Sequence, residues 1–456
     1  MIYSINPATE EQIQTFTAHT PADVEQALAR VAAAQKQWAQ RSVAERTPLL
    51  RQVAKLLRER KAEYGALITL EMGKPVNEAE GEIEKCAWNC EFYADKAAEY
   101  LGDEVVHSSA TLSKVVYDPL GVVLAVMPWN YPFWQVMRFA APALAAGNGV
   151  VLKHANNVPQ CALAIAQLFR DAGAPEGLFA TLLVEASEVK GLIEDSRISA
   201  VTLTGSTPVG KLVASQAGAV LKKQVLELGG SDAFIVLADA DIELAAKSAV
   251  KARFQNVGQS CISAKRFIVV DAVAEQFTQR FCHYTAELKV GDPMQRDVTI
   301  GPLARANLRD DLHDQVQRSV AQGAKLLMGG KFVEGPGFFY EPTVLGDVTS
   351  DMAAGCEETF GPAAAIMRVK DTEAAIDLAN SLDYGLGAGL WTQNVEEGAK
   401  LARRIEAGAV FINGLVASDP RYPFGGIKQS GYGRELGVHG AREFTNIKTV
   451  WIGPAQ

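Results

Sequence analysis

The stretch Leu226-Glu-Leu-Gly-Gly230 separates two series of short apolar runs that alternate with segments of helical periodicity. Four apolar runs precede it, at 121–126, 150–153, 178–184 and 200–204. Four more follow it, at 233–237, 266–270, 363–367 and 409–412. Short buried strands that alternate with helices are typical of parallel sheets covered on both faces. The sequence therefore predicts an α/β protein with two parallel-type sheets, joined close to Glu227.

The length, the net charge and the apolar segments of the chain restrict the kinds of molecule that it is expected to bind. The chain has 456 residues, which suggests two or three domains, and a net charge of −9, which disfavours a general nucleic-acid or membrane surface. The N-terminus lacks the pattern of a signal peptide, and the apolar segment 120–127 is too short to span a bilayer. We therefore expect a cytoplasmic protein with neither nucleic acid nor membrane as partner.

The cysteine pattern gives no sign of disulfides or of a metal site. Six cysteines in a chain of this length do not form a disulfide framework. Cys86 and Cys90 are spaced one helical turn apart, but no further Cys or His lies near them in the sequence to complete a metal site. We interpret this pair as helix packing and expect no metal.

Two segments carry residues suited to covalent catalysis. Cys261 follows a glycine turn in Gln255-Asn-Val-Gly-Gln-Ser-Cys261, and Glu227 precedes the Gly229-Gly230 turn. A thiolate attacks a carbonyl and holds the product as a thioester, and a carboxylate then activates the water that releases it. Each pattern alone is common, since a lone cysteine is usually a small buried apolar residue and a lone glutamate often ends a strand.

Further motifs lie where strands are predicted to end. They are Pro128-Trp-Asn130-Tyr-Pro132, Lys153, Gly205-Ser-Thr-Pro-Val-Gly210 and Glu357-Glu358-Thr-Phe360. Parallel sheets bind ligands at the carboxyl ends of their strands, and helix N-termini such as the one after Gly205 favour anions. Taken singly, these motifs also fit a turn cap, a solvated strand end, a helix N-cap and an acidic surface turn.

The motifs and their order along the chain resemble those of the aldehyde dehydrogenase superfamily. The resemblance extends from Asn6-Pro-Ala-Thr to Phe424-Gly-Gly-Ile-Lys-Gln-Ser-Gly. Within the superfamily, Pro128-Trp-Asn-Tyr-Pro-Phe-Trp-Gln and Lys153-His-Ala-Asn are most similar to succinate-semialdehyde dehydrogenases of the shorter bacterial and cyanobacterial kind. The resemblance implies a dinucleotide-binding domain (1–100 and 120–230), a catalytic domain (231–430) and an extended oligomerisation arm (101–119 and 431–456). The arm segments have no obvious sheet within their own domains, so they predict pairing with a partner chain in a homodimer or homotetramer.

The resemblance further implies roles for the catalytic residues. Cys261 attacks the aldehyde, and Asn130 with backbone N–H groups stabilises the oxyanion. Hydride transfer to the nicotinamide leaves a thioester, and Glu227 activates the water that hydrolyses it. The presence of Glu227 disfavours a coenzyme-A-acylating enzyme. Ser263 stands where some relatives carry a second cysteine, so a regulatory disulfide with the nucleophile is not expected.

NAD or NADP is the implied cofactor, and nine residues are expected to bind it: Trp129, Lys153, His154, Asn156, Gly205, Ser206, Gly229, Glu358 and Phe360. Asn156 stands where many NAD-selective relatives have a glutamate, so no carboxylate at this position repels the 2′-phosphate of NADP. His154 is expected to add a hydrogen-bond donor near that phosphate. We therefore expect both cofactors to be accepted.

The expected substrate site contains Arg138, Trp134, Ser260 and Ser418. Arg138 lies about two helical turns after Asn130, and succinate-semialdehyde dehydrogenases have an arginine there that can pair bidentately with a carboxylate. Gln255 replaces a second arginine of some members, which favours weaker anion binding or a broader range. Two alternatives stay open: a broad-specificity aldehyde dehydrogenase with Arg138 in a structural ion pair, and an inactive relative, which the intact Cys261, Glu227 and Asn130 disfavour.

Overall fold

The structure is a computed structural model that describes residues 1–453. The helices are α1 Pro21–Ala39, α2 Val43–Glu59, α3 Lys61–Met72, α4 Val76–Tyr100, α5 Trp134–Ala146, α6 Pro159–Asp171, α7 Val189–Glu194, α8 Thr207–Ala219, α9 Ile242–Phe254, α10 Asp271–Thr285, α11 Ala306–Ala321, α12 Ala353–Cys356, α13 Thr372–Asn380, α14 Val395–Ala402 and α15 Gly437–Glu443.

The strands are β1 Ile2–Ile5, β2 Gln12–Phe16, β3 Glu104–Val105, β4 Leu112–Pro119, β5 Val122–Met127, β6 Gly149–His154, β7 Phe179–Thr181, β8 Ile198–Thr204, β9 Lys223–Glu227, β10 Asp232–Val236, β11 Ala264–Val270, β12 Lys325–Met328, β13 Thr343–Gly346, β14 Ala363–Val369, β15 Tyr384–Gly385, β16 Gly387–Trp391, β17 Ala409–Ile412, β18 Ile427–Lys428, β19 Gly431–Tyr432 and β20 Thr445–Ile452.

The first large sheet has the strand order β19-β9-β8-β5-β6-β7. Its strands are parallel except β19, which pairs antiparallel with β9. The chain leaves β5 towards β6 on one side and later returns to β8 on the other side. This change of direction makes the carboxyl end of β5 a topological switch point, where open parallel sheets place their ligand crevice.

The second large sheet has the order β12-β13-β14-β11-β10-β16-β17, and only β12 runs antiparallel to its neighbour. It begins at β10, directly after Gly230, as the sequence predicted. Its central strands β10, β11 and β14 are buried on both faces, which matches their continuous apolar runs. The predicted α/β class with two parallel-type sheets is therefore confirmed.

A third sheet joins the two predicted arm segments. Strand β20 pairs antiparallel with β4 along eight residues, from Thr445 opposite Pro119 to Ile452 opposite Leu112, and β3 pairs with the other edge of β4. The predicted arm boundary at residue 431 is too early, because β19 belongs to the first sheet and α15 packs against α4 and α5. Residues 454–456 of the predicted arm lie outside the described residues.

Helix α4 fixes the start of α5 through the buried carboxylate of Glu82. Lys74 and Glu82 are fully buried and bound to each other, and Glu82 Oε1 accepts the backbone N–H groups of Phe133 and Trp134 at 2.9 Å each. Those donors belong to the first turn of a helix, where they have no intrahelical partner. Removing one member of such a pair typically costs about 3–5 kcal/mol, so α5 and its side chains are held firmly.

The apolar face of α4 contains Cys86 and Cys90, both fully buried in the main core. This agrees with the interpretation of the two cysteines as helix packing. None of the helices within residues 1–453 combines the length and the apolar character that crossing a membrane requires.

Candidate active site

The carboxyl ends of four neighbouring strands form one wall of the site. Trp129 and Asn130 follow β5, Lys153 lies near the end of β6, Gly205 follows β8 and Glu227 ends β9. All these strands are parallel, so these residues lie along the same edge of the sheet. The predicted motifs therefore meet at the switch point, although they are distant in the sequence.

The loop before Cys261 has an unusual backbone. Asn256, Val257 and Gly258 have φ values of 53°, 57° and 71°, in the left-handed region. That region is unfavourable for a β-branched residue such as Val257, so the surrounding structure must hold it. The fully buried Arg253 does so by donating hydrogen bonds to the carbonyl oxygens of Gly258 (2.8 Å) and Ala264 (3.0 Å).

A second cation lies beneath the nucleophile. Lys265 Nζ is buried and donates hydrogen bonds to the carbonyl oxygens of Ser260 (2.8 Å) and Cys261 (2.6 Å). Burial raises the pKa of the Cys261 thiol to about 12, while the charges of Lys265 and Arg138 oppose the rise. The Cys261 thiol is therefore protonated at neutral pH, and the predicted attack on an aldehyde requires loss of that proton.

Asn130 is joined to the nucleophile loop. Its side-chain Nδ2 donates to the carbonyl oxygen of Gln259 at 3.0 Å, and Asn256 Nδ2 donates to the carbonyl oxygen of Asn130 at 2.9 Å. An amide nitrogen has two hydrogens, so the bond to Gln259 leaves one for another acceptor. This placement is consistent with the predicted role as an oxyanion donor.

Glu227 is a buried carboxylate without a hydrogen-bond donor. Its side chain is about 1% exposed, and neither carboxylate oxygen accepts a hydrogen bond from residues 1–453. Burial raises the pKa of Glu227 well above its usual range, Arg138 opposes this shift and Glu435 adds to it. A carboxylate with a raised pKa and free lone pairs is suited to take a proton from water.

Two glycines allow the two sheets to meet closely. A Cβ atom at Gly230 would lie 2.9 Å from the carbonyl oxygen of Cys261, and one at Gly229 would lie 2.4 Å from Glu358 Oε2. Glu358 Oε1 accepts the N–H of Gly230 at 3.0 Å. Glu227, Cys261 and Glu358 are thus brought together by a turn that no larger residue fits.

Aromatic rings complete this side of the crevice. Phe360 and Trp129 make an edge-to-face contact, with ring centroids 5.8 Å apart. Ser206 is the N-cap residue of α8, and its hydroxyl makes no capping hydrogen bond within the described chain. The structure therefore brings Trp129, Phe360, Glu358 and Gly229 together, with Ser206 on a neighbouring strand end.

At the other end of the crevice, Lys153 Nζ donates to Asn156 Oδ1 at 3.0 Å. Asn156 Nδ2 in turn donates to Glu185 Oε2 at 2.7 Å. Glu185 is exposed and was not predicted from the sequence, because it lies in a different loop, after β7. A carboxylate is thus present beside Asn156 even though position 156 itself carries none.

The prediction for His154 is wrong. Its Nε2–H donates to the carbonyl oxygen of Pro132 (2.9 Å), and Nδ1 accepts the N–H of Ala155 (2.9 Å). Burial lowers the pKa of His154 to about 4, so the ring is neutral at physiological pH. Both ring nitrogens are occupied, and the side chain has neither charge nor donor for a phosphate.

A cavity of about 290 Å³ opens onto Cys261 and contains the expected substrate residues Trp134, Arg138, Ser260 and Ser418. Gln255, at the position of the second arginine of some relatives, also lines it. The substrate prediction thus selected residues that share one space with the nucleophile.

The sequence suggested that Arg138 is free to pair bidentately with a carboxylate, but in the structure its guanidinium already has partners. Arg138 is about 2% exposed, forms an ion pair with Glu435, and donates from Nη2 to Thr204 Oγ1 at 3.2 Å. The Phe424 ring lies 4.7 Å from its guanidinium carbon. Arg138 faces the cavity with its charge largely compensated by a buried carboxylate.

Sequence reasoning missed five charged residues around the site: Lys85, Glu185, Arg253, Lys265 and Glu435. Lys85 offered a signal, since it is a lysine next to Cys86 on the buried face of α4. Glu435 lies four residues after the C-terminal motif Phe424-Gly-Gly-Ile-Lys-Gln-Ser-Gly, but only the fold places it against α5. The others gave no signal in the local sequence.

Comparisons with known proteins agree with this arrangement. The profile of the "Aldehyde dehydrogenase family" matches residues 1–450. A "Probable succinate-semialdehyde dehydrogenase [NADP(+)]" of Synechocystis sp. is 54% identical over 99% of both chains. The "Succinate semialdehyde dehydrogenase [NAD(P)+] Sad" of Escherichia coli is 50% identical over 98% of this chain and 97% of that protein.

Solved structures extend the likeness to three dimensions. The structure of succinic semialdehyde dehydrogenase from Streptococcus pyogenes in complex with NADP⁺ has a TM-score of 0.97 and 39% sequence identity, and covers 100% of each chain. The profile match and these relatives span nearly the whole chain, and a cysteine, a buried glutamate and an asparagine lie at one crevice. The protein therefore belongs to the aldehyde dehydrogenase family.

Proposed function

We propose that this protein oxidises succinate semialdehyde to succinate with NADP or NAD. The observation that carries the proposal is the cavity that Cys261 shares with Arg138, Trp134 and Ser418. A cavity with cationic and hydroxyl groups suits a short aldehyde that ends in a carboxylate. The relatives from Synechocystis and E. coli, named for this activity, support the assignment.

The residues of the chain divide the chemistry among them. The Cys261 sulfur forms a bond to the aldehyde carbon as the carbonyl double bond opens to an oxyanion, and the thiol proton passes to solvent water. Asn130 donates a hydrogen bond from its remaining amide N–H to the oxygen of the tetrahedral adduct. A bound nicotinamide dinucleotide supplies the hydride acceptor. Glu227 then takes a proton from water, whose oxygen attacks the thioester and releases the acid and the Cys261 thiol.

The crevice fits a dinucleotide. Lys153 and Asn156 lie at one strand end, Ser206 begins α8, and Glu358 and Phe360 lie beside the nucleophile loop. A helix N-terminus with an unused hydroxyl is suited to a pyrophosphate, and an ammonium with an amide is suited to a ribose. We assign adenosine contacts to Lys153 and Asn156, and nicotinamide contacts to Trp129, Gly229, Glu358 and Phe360.

We further propose that 1–100 and 120–230 bind the dinucleotide, that 231–430 carries the nucleophile, and that the arm sheet mediates dimer or tetramer formation. All six cysteines are free thiols, which is usual in reducing compartments and supports a cytoplasmic location.

The substrate assignment predicts a preference between two aldehydes of equal carbon count. The wild-type kcat/KM should be about 10-fold or more higher for succinate semialdehyde than for butanal, because only the former carries a carboxylate to pair with cationic side chains. Initial rates with each aldehyde at saturating cofactor measure this. Equal efficiencies would instead support the broad-specificity alternative.

Glu227→Gln should stall the cycle after thioester formation, since the amide cannot accept a proton from water. Rapid-quench kinetics should show a burst of reduced cofactor close to one equivalent per active site, followed by a slow steady state. Cys261→Ala serves as the control and should give no burst while still binding the cofactor. A Glu227→Gln enzyme that is slow from the first turnover would place this residue before hydride transfer.

The pair Asn156 and Glu185 should set the balance between NADP and NAD. Glu185→Gln should raise the ratio of NADP to NAD efficiency by about 1.4- to 5-fold, as expected for removing an exposed charge worth about 0.2–1 kcal/mol. Asn156→Glu should lower the same ratio. Glu188→Gln, an exposed glutamate in the same loop, is the matched control. Equal effects on both cofactors would show that these positions do not contact the 2′-phosphate.

The arm sheet should hold at least two chains together. Its outer strand β20 exposes Ile447 and Trp451, which share one face, and an apolar edge strand invites pairing. Light scattering should give at least twice the chain mass of 48.9 kDa. Ile447→Lys with Trp451→Lys should shift the population to monomer, whereas Leu221→Lys, an exposed leucine outside the arm, should not. A monomeric wild type would contradict this role.

A further inference from the structure

Lys85 enters the cavity of Cys261 from helix α4. Its Nζ donates a hydrogen bond to Ser418 Oγ at 2.8 Å and lies 4.2 Å from the ring centroid of Trp134. Trp134 Nε1 donates to the same Ser418 oxygen at 3.1 Å. Three side chains from α4, α5 and the loop before Phe424 therefore form one polar cluster in the cavity wall.

The hydrogen bonds of this cluster leave donors for an anion. Ser418 Oγ accepts from both Lys85 and Trp134, so its own hydrogen is available to donate. The ammonium of Lys85 has three hydrogens, and the bond to Ser418 uses one of them. A carboxylate in the cavity would thus meet O–H and N⁺–H donors at adjacent positions.

The charge of Lys85 lacks the compensation that its neighbours have. Arg138 is paired with Glu435, and Glu82 is paired with Lys74. Asp419, near Lys85, is held by Arg421 through an ion pair of 2.6 Å. These pairs all have a nitrogen–oxygen distance below 4.0 Å. Within residues 1–453, no carboxylate oxygen lies that close to Lys85 Nζ.

Burial and the charge of Arg138 lower the pKa of Lys85 to about 8, with Cys86, Glu82 and Asp419 opposing the shift. At neutral pH the ammonium is therefore still the main form, but it is poorly solvated. A partly desolvated cation gains more from an incoming anion than one that already has a carboxylate partner.

We propose that Lys85, rather than Arg138, is the principal charged group that recognises the carboxylate of the substrate, with Ser418 as its hydrogen-bonding partner. Arg138 keeps its ion pair with Glu435 and contributes to the wall. This inference rests on the proposed function, because it names the group that selects the semialdehyde.

The test compares Lys85→Met with wild type on succinate semialdehyde and on butanal. Lys85→Met should lower kcat/KM for the semialdehyde by about 10- to 150-fold, mainly through KM, and leave butanal nearly unchanged. Lys85→Arg should retain most of the semialdehyde preference. Competitive inhibition by glutarate, a dicarboxylate that cannot react, should weaken in Lys85→Met by a similar factor. Lys96→Met, on the exposed side of the same helix, is the control for the loss of one positive charge.

The outcomes separate the two claims. A wild-type enzyme without preference for the semialdehyde overturns the proposed function and this inference with it. A wild-type preference that survives in Lys85→Met overturns the inference alone. If Lys85→Met also loses butanal oxidation, the same measurements are made on Lys85→Gln. Glutarate inhibition of Lys85→Gln equal to that of wild type would overturn the assignment of Lys85 to the substrate carboxylate.

Discussion

The active-site crevice depends on a guanidinium that has no exposed surface. Arg253, at the end of α9, donates to the carbonyl oxygens of Gly258, Ala264, Thr359 and Gly361. These carbonyls belong to the nucleophile loop, to the start of β11 and to the segment that carries Glu358. Arginine suits this place because its planar fork directs five donors from one rigid group, which a lysine cannot do. Burial lowers its pKa to about 9, and the charge of Glu358 opposes this shift.

Helix α4 has a comparable role for the opposite wall. Glu82 holds the first turn of α5, and Lys85 reaches the cavity one helical turn further along α4. The position of Trp134 and Arg138 is therefore coupled to the same helix that supplies Lys85. A cavity assembled from two helices linked through the buried Glu82 carboxylate is held firmly, which reduces the entropy lost when a small substrate binds.

The sequence predicted the fold class and most strands of the first sheet because their apolar runs are continuous. Strand β16 was missed, since Gly387-Ala-Gly-Leu-Trp391 has little of the β-branched composition that marks a strand, and only pairing with β10 and β17 places it. Strand β19 was missed because a two-residue antiparallel edge has no periodicity. Cys261, Glu227 and Asn130 were predicted because the motifs that contain them resemble those of the aldehyde dehydrogenase family, since each pattern alone is common. The Arg138–Glu435 pair was not, because its members are brought together only by tertiary packing.

The environment of Cys261 also has a consequence for chemical durability. Peroxides and alkylating agents react with the thiolate and hardly at all with the thiol. Burial raises the pKa of Cys261 to about 12, so in the resting protein the reactive form is scarce at neutral pH. Position 263 is a serine, so no adjacent thiol is present to trap a sulfenic acid as a disulfide and return it to the reduced state. The raised pKa of Cys261 thus favours slow reaction with oxidants, and a sulfenic acid formed there would have no thiol at position 263 to reduce it.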